Sequence, residues 1–295
     1  MVRAGLNDVL IANQVVGPLK IARLVALTAM ATVTVAVDDA ANVAALSAAA
    51  QQAGVTIGVL IELDVGMGRA GVSSTDAALA LARLVADEPG LVFRGLMGYE
   101  GHIVDAPDLA QRSAGAQTAL EQLSAVRRAV EAAGFPVACV SAGGSGTYAT
   151  TRTWPDLSEV QVGSYVFMDH DYNVCDLRGL DKPTFEQALQ IDARVVSANT
   201  AGMVTVDAGL KAMATEKGPP MILSGAVAGA TTRFMGDEHL AVIAPEGKVA
   251  PGHGEQVILT PPHCDPTVNL YEAYHIVKGD TLVEIWPVTA RGRSR

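Results

Sequence analysis

Apolar residues fall into two rhythms along this chain. Through about residue 167, short continuous apolar runs alternate with alanine- and leucine-bearing stretches whose apolar positions recur every three to four residues. The first kind suits a strand buried on both faces, the second an amphipathic helix. Residues 8–12 form the first run, and Pro18 opens a helix with Ile21, Leu24 and Val25 on one face. Residues 32–37 make the second strand, Asp39 caps a helix that Gly54 ends, and residues 55–63 make the third. Ser73 or Ser74 caps a helix through Ala86, and Pro89-Gly90 turns into a fourth strand at 91–97. Leu120, Leu123, Val126 and Val130 mark a helix face ending at Gly134, with further strands predicted at 137–140 and 160–167.

From about Phe185 the apolar runs shorten and lose their helical partners, at 188–196, 203–206, 240–243, 257–259 and 282–286. Turn signals such as Asp207-Ala-Gly209, Glu246-Gly247 and Lys278-Gly279-Asp280 separate them. Repeated strand-helix units imply a parallel sheet, and six strands stand where a closed barrel needs eight. The expected fold is α/β: a (β/α)8 barrel lacking its first two units, followed by a mostly β C-terminal domain. An open doubly wound sheet is the competing topology. The domains are expected at 1–175 and 185–295, with residues 176–184 as linker.

With 295 residues, 49% of them hydrophobic, the chain can bury a sizeable core. A net charge of −10, and no basic cluster beyond Arg291, Arg293 and Arg295, argue against a nucleic-acid partner. The three cysteines form no CxxC pair, so no disulfide framework is expected and a reducing cytoplasm is the natural compartment. Residues 24–37 are apolar but too short to span a bilayer, and Asp38 and Asp39 follow directly, so no membrane partner is expected. Met1 to Gly5 reads as the last turn of a helix closed by a glycine, which suggests a start within a domain.

Polar residues gather after the strands, where parallel folds place their sites. Ser141 to Thr147, SAGGSGT, can crowd backbone N–H groups and hydroxyls around a phosphate; a flexible glycine-rich turn is the simpler alternative. Asp64 and Arg69 stand among glycines after the third strand, where Arg69 either meets a ligand or pairs with Asp64. Tyr99, Glu100 and His102 after the fourth strand offer a phenol, a carboxylate and an imidazole for proton transfer. Gly163, Ser164 and Tyr165 add a small, hydroxyl-bearing turn. In Pro261-Pro-His-Cys-Asp-Pro-Thr267, an extended backbone would aim His263 and Asp265 to one side, a pair suited to Mn²⁺, Zn²⁺ or Mg²⁺. A proline-braced turn is the alternative there, and a linker turn is the reading for Asp169-His-Asp171.

DVGMGRAGV, GYEGH, SAGGSGTY, QVGSYVFMD, VDAGLK and PPHCDPTVNLY, in this order, resemble the D-threonine aldolase and D-serine dehydratase family. Those are pyridoxal-phosphate enzymes with an alanine-racemase-like barrel and a β domain, and the resemblance covers residues 8–292. It implies that Gly143, Gly144, Ser145, Gly146 and Thr147, with Gly163, Ser164 and Tyr165, hold the cofactor, and that Arg69 and Tyr99 lie against its ring. It further implies His263 and Asp265 as metal ligands and catalytic groups, with His102 a nearby imidazole. The dehydratase branch carries H-x-C where this sequence has His263-Cys264-Asp265, which favours the aldolase. The implied reaction cleaves a D-3-hydroxy amino acid into glycine and an aldehyde. D-serine or 3-hydroxy-D-aspartate dehydration and a non-catalytic cofactor-binding remnant are the alternatives. The Schiff-base lysine of the family belongs to the first barrel strand, and Lys20, Lys182, Lys211, Lys217, Lys248 and Lys278 all stand in other contexts. The expectation is a chain truncated at its amino terminus, impaired as an enzyme, whose open strand edges favour a homo-oligomer.

Overall fold

The structure, a computed structural model, describes residues 1–177 and 185–293. From residue 178 on, the expected linker lies outside the described residues. The chain forms two compact units, Met1–Val162 and Gly163–Arg295.

The first unit runs β1 (Asp8–Gln14), α1 (Pro18–Thr28), β2 (Thr32–Val37), α2 (Ala40–Ala53), β3 (Ile57–Glu62), α3 (Thr75–Asp87) and β4 (Leu91–Met97). It continues with α4 (Leu109–Ala132), β5 (Cys139–Ala142), α5 (Tyr148–Thr151) and β6 (Glu159–Val160). Every pairing is parallel, in the order β1-β2-β3-β4-β5-β6. A doubly wound sheet reverses its order at a switch point; this one does not, so the barrel-type topology holds. Val33, Val35, Val37, Val59 and Ile61 pack with Val43 and Leu46 of α2 and Leu120 and Leu123 of α4 in one core. The opposite strand positions, Leu10, Ala36, Leu60, Met97 and Cys139, form a smaller cluster. Burial on both faces is why these strands read as unbroken apolar runs.

The second unit begins with a 3-10 turn at Ser164–Val166 and α6 (His170–Asn173). The strands β7 (Ile191–Thr200), β8 (Met203–Val206), β9 (Met221–Ser224), β10 (Thr231–Phe234), β11 (Leu240–Ile243) and β12 (Gln256–Thr260) follow. Their antiparallel sheet has the order β10-β11-β8-β7-β12-β9, around Val195, Val204, Val206, Leu240, Val242, Val257 and Leu259. Then come α7 (Cys264–Val268) and the hairpin of β13 (Ala273–Lys278) and β14 (Thr281–Pro287).

Several boundaries differ from the sequence pattern. The sixth strand is only Glu159–Val160, because the chain turns at Gly163 and 164–166 coil into a 3-10 turn instead of extending to 167. β5 sits two residues later than expected, which puts Ser141 and Ala142 inside the strand. The helix marked by Leu120 starts earlier, at Leu109, where the Asp108 carboxylate accepts from Gln111 N at 2.7 Å. The extended backbone expected across residues 263–265 stops at His263, the N-cap of α7, and Asp265 lies in the helix's first turn. Among the described residues no helix is long and apolar enough to cross a membrane, and all three cysteines are free.

Candidate active site

The C-terminal ends of β3, β4 and β5 carry the polar groups of the first unit. After β3 the chain loops out and returns, with Asp64 N donating to Val72 O and Gly71 N to the Asp38 carboxylate, at 3.0 and 2.8 Å. Gly71, at φ +100°, leaves no room for a Cβ against the Leu63–Asp64 backbone, so only glycine closes this loop. The Asp64 carboxylate accepts from Gly68 N (2.9 Å) and Gly66 N (3.0 Å). Those amide bonds, Gly68 first, outweigh partial burial and, with His102 nearby, hold the carboxyl below its ordinary range. Arg69 instead lies over the Tyr99 ring, 5.8 Å from its centroid, a cation–π arrangement. His102 is exposed and stands over Gly66.

Tyr99 also borders the glycine loop, since a Cβ on Gly144 would lie 3.2 Å from its ring and hydroxyl. Arg69, Tyr99 and Gly144 thus form one continuous wall. Beneath it, Glu100 is fully buried and accepts from Gly143 N (3.0 Å) and the Thr147 hydroxyl (2.6 Å). Two donors that the sequence suggested for a phosphate therefore engage a carboxylate of the chain itself. Gly144 N donates to Thr147 Oγ1 at 3.0 Å, and Gln161 N to Gly143 O at 2.9 Å, which fixes the loop from both sides. Buried Arg112 of α4 donates from Nε to Gly146 O (3.1 Å) and from its terminal nitrogen to the Ala106 and Pro107 carbonyls. Glu62, at the end of β3, is 5% exposed and accepts from the Gln14 amide. Burial raises its pKa against that hydrogen bond, with the Asp38 charge adding to the rise.

In the second unit Gly163, Ser164 and Tyr165 form the 3-10 turn, and the Tyr165 ring lies 5.4 Å from that of Phe185. His263 and Asp265 come together, with Nε2 to Oδ2 at 3.9 Å, and the Asp265 side chain is 74% exposed. The Nδ1 of His263 meets Glu216 Oε1 at 2.6 Å. Cys264 between them is fully buried, its Sγ donating to Asp265 Oδ1 at 3.3 Å, and burial, with the neighbouring Asp169 and Asp265, pushes its thiol far above the usual range. Asp169, also fully buried, caps α6 through Tyr172 N (3.1 Å) and accepts from Cys264 N at 2.8 Å. The Asp169-His-Asp171 segment is thus a short capped helix tied to residues 261–264, with His170 N donating to Pro261 O and Asp171 N to Pro262 O. Among the described residues no group of three or more His, Cys, Asp or Glu is arranged to hold a metal. The sequence pattern does not single out Glu62 or Glu216, and it offers Glu100 for proton transfer where the structure has it anchoring the glycine loop.

The profile for the alanine racemase N-terminal domain matches residues 7–171, and that for a putative serine dehydratase domain matches residues 188–277. The 3-hydroxy-D-aspartate aldolase of Paracoccus denitrificans (strain Pd 1222) is 37% identical over 99% of this chain and 75% of its own length. The D-threonine aldolase of an Arthrobacter species is 37% identical over 100% of this chain and 76% of its own. A D-threo-3-hydroxyaspartate dehydratase from a Delftia species is more distant, 31% identical over 62% of this chain and 47% of its own. The crystal structure of D-threonine aldolase from Filomicrobium marinum superposes with a TM-score of 0.93 at 37% identity, covering 100% of this chain and 80% of the other. The racemase-like parallel sheet, the antiparallel sheet later in the chain and this end-to-end identity together mean that the chain belongs to the D-threonine aldolase and 3-hydroxy-D-aspartate aldolase family.

Proposed function

We propose that the chain is an aldehyde-lyase for D-3-hydroxy amino acids, working with pyridoxal phosphate and a divalent cation and releasing glycine and an aldehyde. The observation that carries this reading is 37% identity to two aldolases across essentially the whole chain. The residues fit both groups. The loop at 143–147 borders an Arg69–Tyr99 wall through Gly144, and His263 and Asp265 offer a nitrogen and an oxygen close enough to share one ion. Pyridoxal phosphate supplies an electron sink for cleavage of the Cα–Cβ bond, and the cation supplies Lewis-acid polarisation of the β-hydroxyl.

We assign the glycine loop at 143–147 to the phosphate on family resemblance, with Gly143 N and Thr147 Oγ1 held by Glu100 as the anchor of the loop. Arg69 and Tyr99 orient the ring, and His102 is the imidazole assigned to the substrate's proton. Gly163, Ser164 and Tyr165 are assigned to the cofactor on family resemblance. Within residues 1–162 the only lysine is Lys20, exposed on α1. In the second unit Lys211 pairs with Glu238 at 2.6 Å and Lys217 with Asp171 at 3.1 Å. None of these three lies in a strand of the parallel sheet.

The test is to load the purified chain with pyridoxal phosphate and Mn²⁺, supply D-threonine, and measure acetaldehyde before and after chelation. Chelator-sensitive acetaldehyde is expected. Dehydration is the second reading, favoured by the dehydratase-domain match at 188–277. Against it, the buried Cys264 thiol faces Asp265 and is held protonated by burial. Ammonia and a 2-oxo acid, in place of aldehyde and glycine, would replace the aldolase reading with the dehydratase one.

A further inference from the structure

We propose that Glu216 is the positioning residue of the cation site: its carboxylate holds the proton of His263 on Nδ1 and so presents the Nε2 lone pair toward Asp265. The proposal rests on reading His263 and Asp265 as the cation's ligands. A neutral imidazole has one N–H and one lone pair, and only the lone pair can bind a metal. A carboxylate oxygen 2.6 Å from Nδ1 accepts that N–H, so Nε2 is the bare nitrogen. It is also the nitrogen that faces Asp265 Oδ2, at 3.9 Å. Glu216 therefore selects the tautomer whose free nitrogen and the Asp265 oxygen are close enough to chelate.

The loop that carries Glu216 is fixed to the element that carries the ligands. Ala214 N donates to Thr267 Oγ1 of α7 at 2.9 Å, and the Tyr271 hydroxyl donates to Ala212 O at 2.7 Å. Lys217, the next residue, pairs with Asp171 at 3.1 Å, and Asp171 N is bonded to Pro262 O just before His263. Thr267 Oγ1 in turn donates to His263 O at 2.6 Å, which closes the circuit. A carboxylate on a loop tied at both ends orients the ring more sharply than one on a free loop.

The experiment uses the full chain labelled with ¹⁵N-histidine, at a pH where the imidazoles are neutral. The six histidines are separated by difference against His263→Ala. The wild-type His263 is expected with a pyrrole-type Nδ1 and a pyridine-type Nε2. In Glu216→Ala the two ¹⁵N shifts should move toward each other as the tautomers mix. Glu216→Gln, whose amide oxygen still accepts, should restore most of the wild-type pattern. Mn²⁺ titrated into the same proteins and followed by electron paramagnetic resonance should show affinity falling about 10–100-fold in Glu216→Ala, with partial recovery in Glu216→Gln. Glu216 is half exposed, so these variants should fold, and circular dichroism is the check that they do.

Wild-type tautomer in Glu216→Ala, or Mn²⁺ affinity within twofold of wild type, overturns the proposal. Failure of the cation reading looks different: Mn²⁺ affinity would be unchanged by His263→Ala and Asp265→Ala, while the ¹⁵N shifts still decide whether Glu216 sets the tautomer.

Discussion

Gly146 and Glu62 show how single residues shape the first site. A Cβ on Gly146 would sit inside the van der Waals envelope of the Val104 carbonyl oxygen, a backbone atom with no rotamer to give way. Gly146→Ala should therefore cost about 2–4 kcal/mol, read by urea denaturation, and should abolish retention of pyridoxal phosphate on gel filtration. Glu62 acts through its proton. Burial lifts the folded-state pKa above the ordinary 4.5, so the folded chain holds this proton more tightly than the unfolded one. The group favours folding below that value and subtracts stability as pH rises through the window above it. Glu62→Gln keeps an acceptor for the Gln14 amide and removes the charge, so it should gain on wild type at pH 8 and lose that advantage near pH 4. A larger deficit for the variant at pH 8 than at pH 4 would show that the Glu62 carboxylate is stabilising instead.

Among the elements, α6 and α7 depend on one carboxylate. Asp169 satisfies the amides of Tyr172 and Cys264, so Asp169→Ala leaves both buried N–H groups without this partner. Thermal melts should show a loss of about 1–3 kcal/mol, and Mn²⁺ affinity should fall because the His263–Asp265 turn loosens. What could be read from sequence divides along this same line. β2, β4 and the caps Asp39, Ser74 and Gly54 were legible because each is encoded by neighbours: a β-branched run, a side chain reaching the amides of Ala41, Asn42 or Ala77, a glycine at φ +65°. The sixth strand was misread because its apolar residues run on to Phe167 while the backbone turns at Gly163. β9, β10 and β13 escaped notice because they are short or polar and gain definition only from pairing partners. Glu100 and Glu216 could not be assigned, since their partners Gly143 and His263 lie 43 and 47 residues away and no local pattern records such a contact. His263 and Asp265 were found by residue type, although the geometry that joins them is a helix N-terminus and not a strand.

For the molecule as a whole, the two outer strands of the parallel sheet matter most. Among the described residues β1 pairs only with β2, and β6 only with β5. Unpaired strand edges invite pairing with another chain, so concentration-dependent self-association is expected by analytical ultracentrifugation. A monomer at all concentrations, melting in one cooperative step, would contradict this. The order β1-β2-β3-β4-β5-β6 has a further consequence, for synthesis on the ribosome. Each strand pairs with the one made just before it, so the sheet can grow from its amino-terminal edge as the chain emerges and never waits for a distant segment. The antiparallel sheet, where β7 lies between β8 and β12, has no such option: its central strand stays half-paired until residue 260 has left the tunnel. A stalled nascent chain ending near residue 200 should therefore already protect the parallel sheet from protease while the later domain remains open to cleavage.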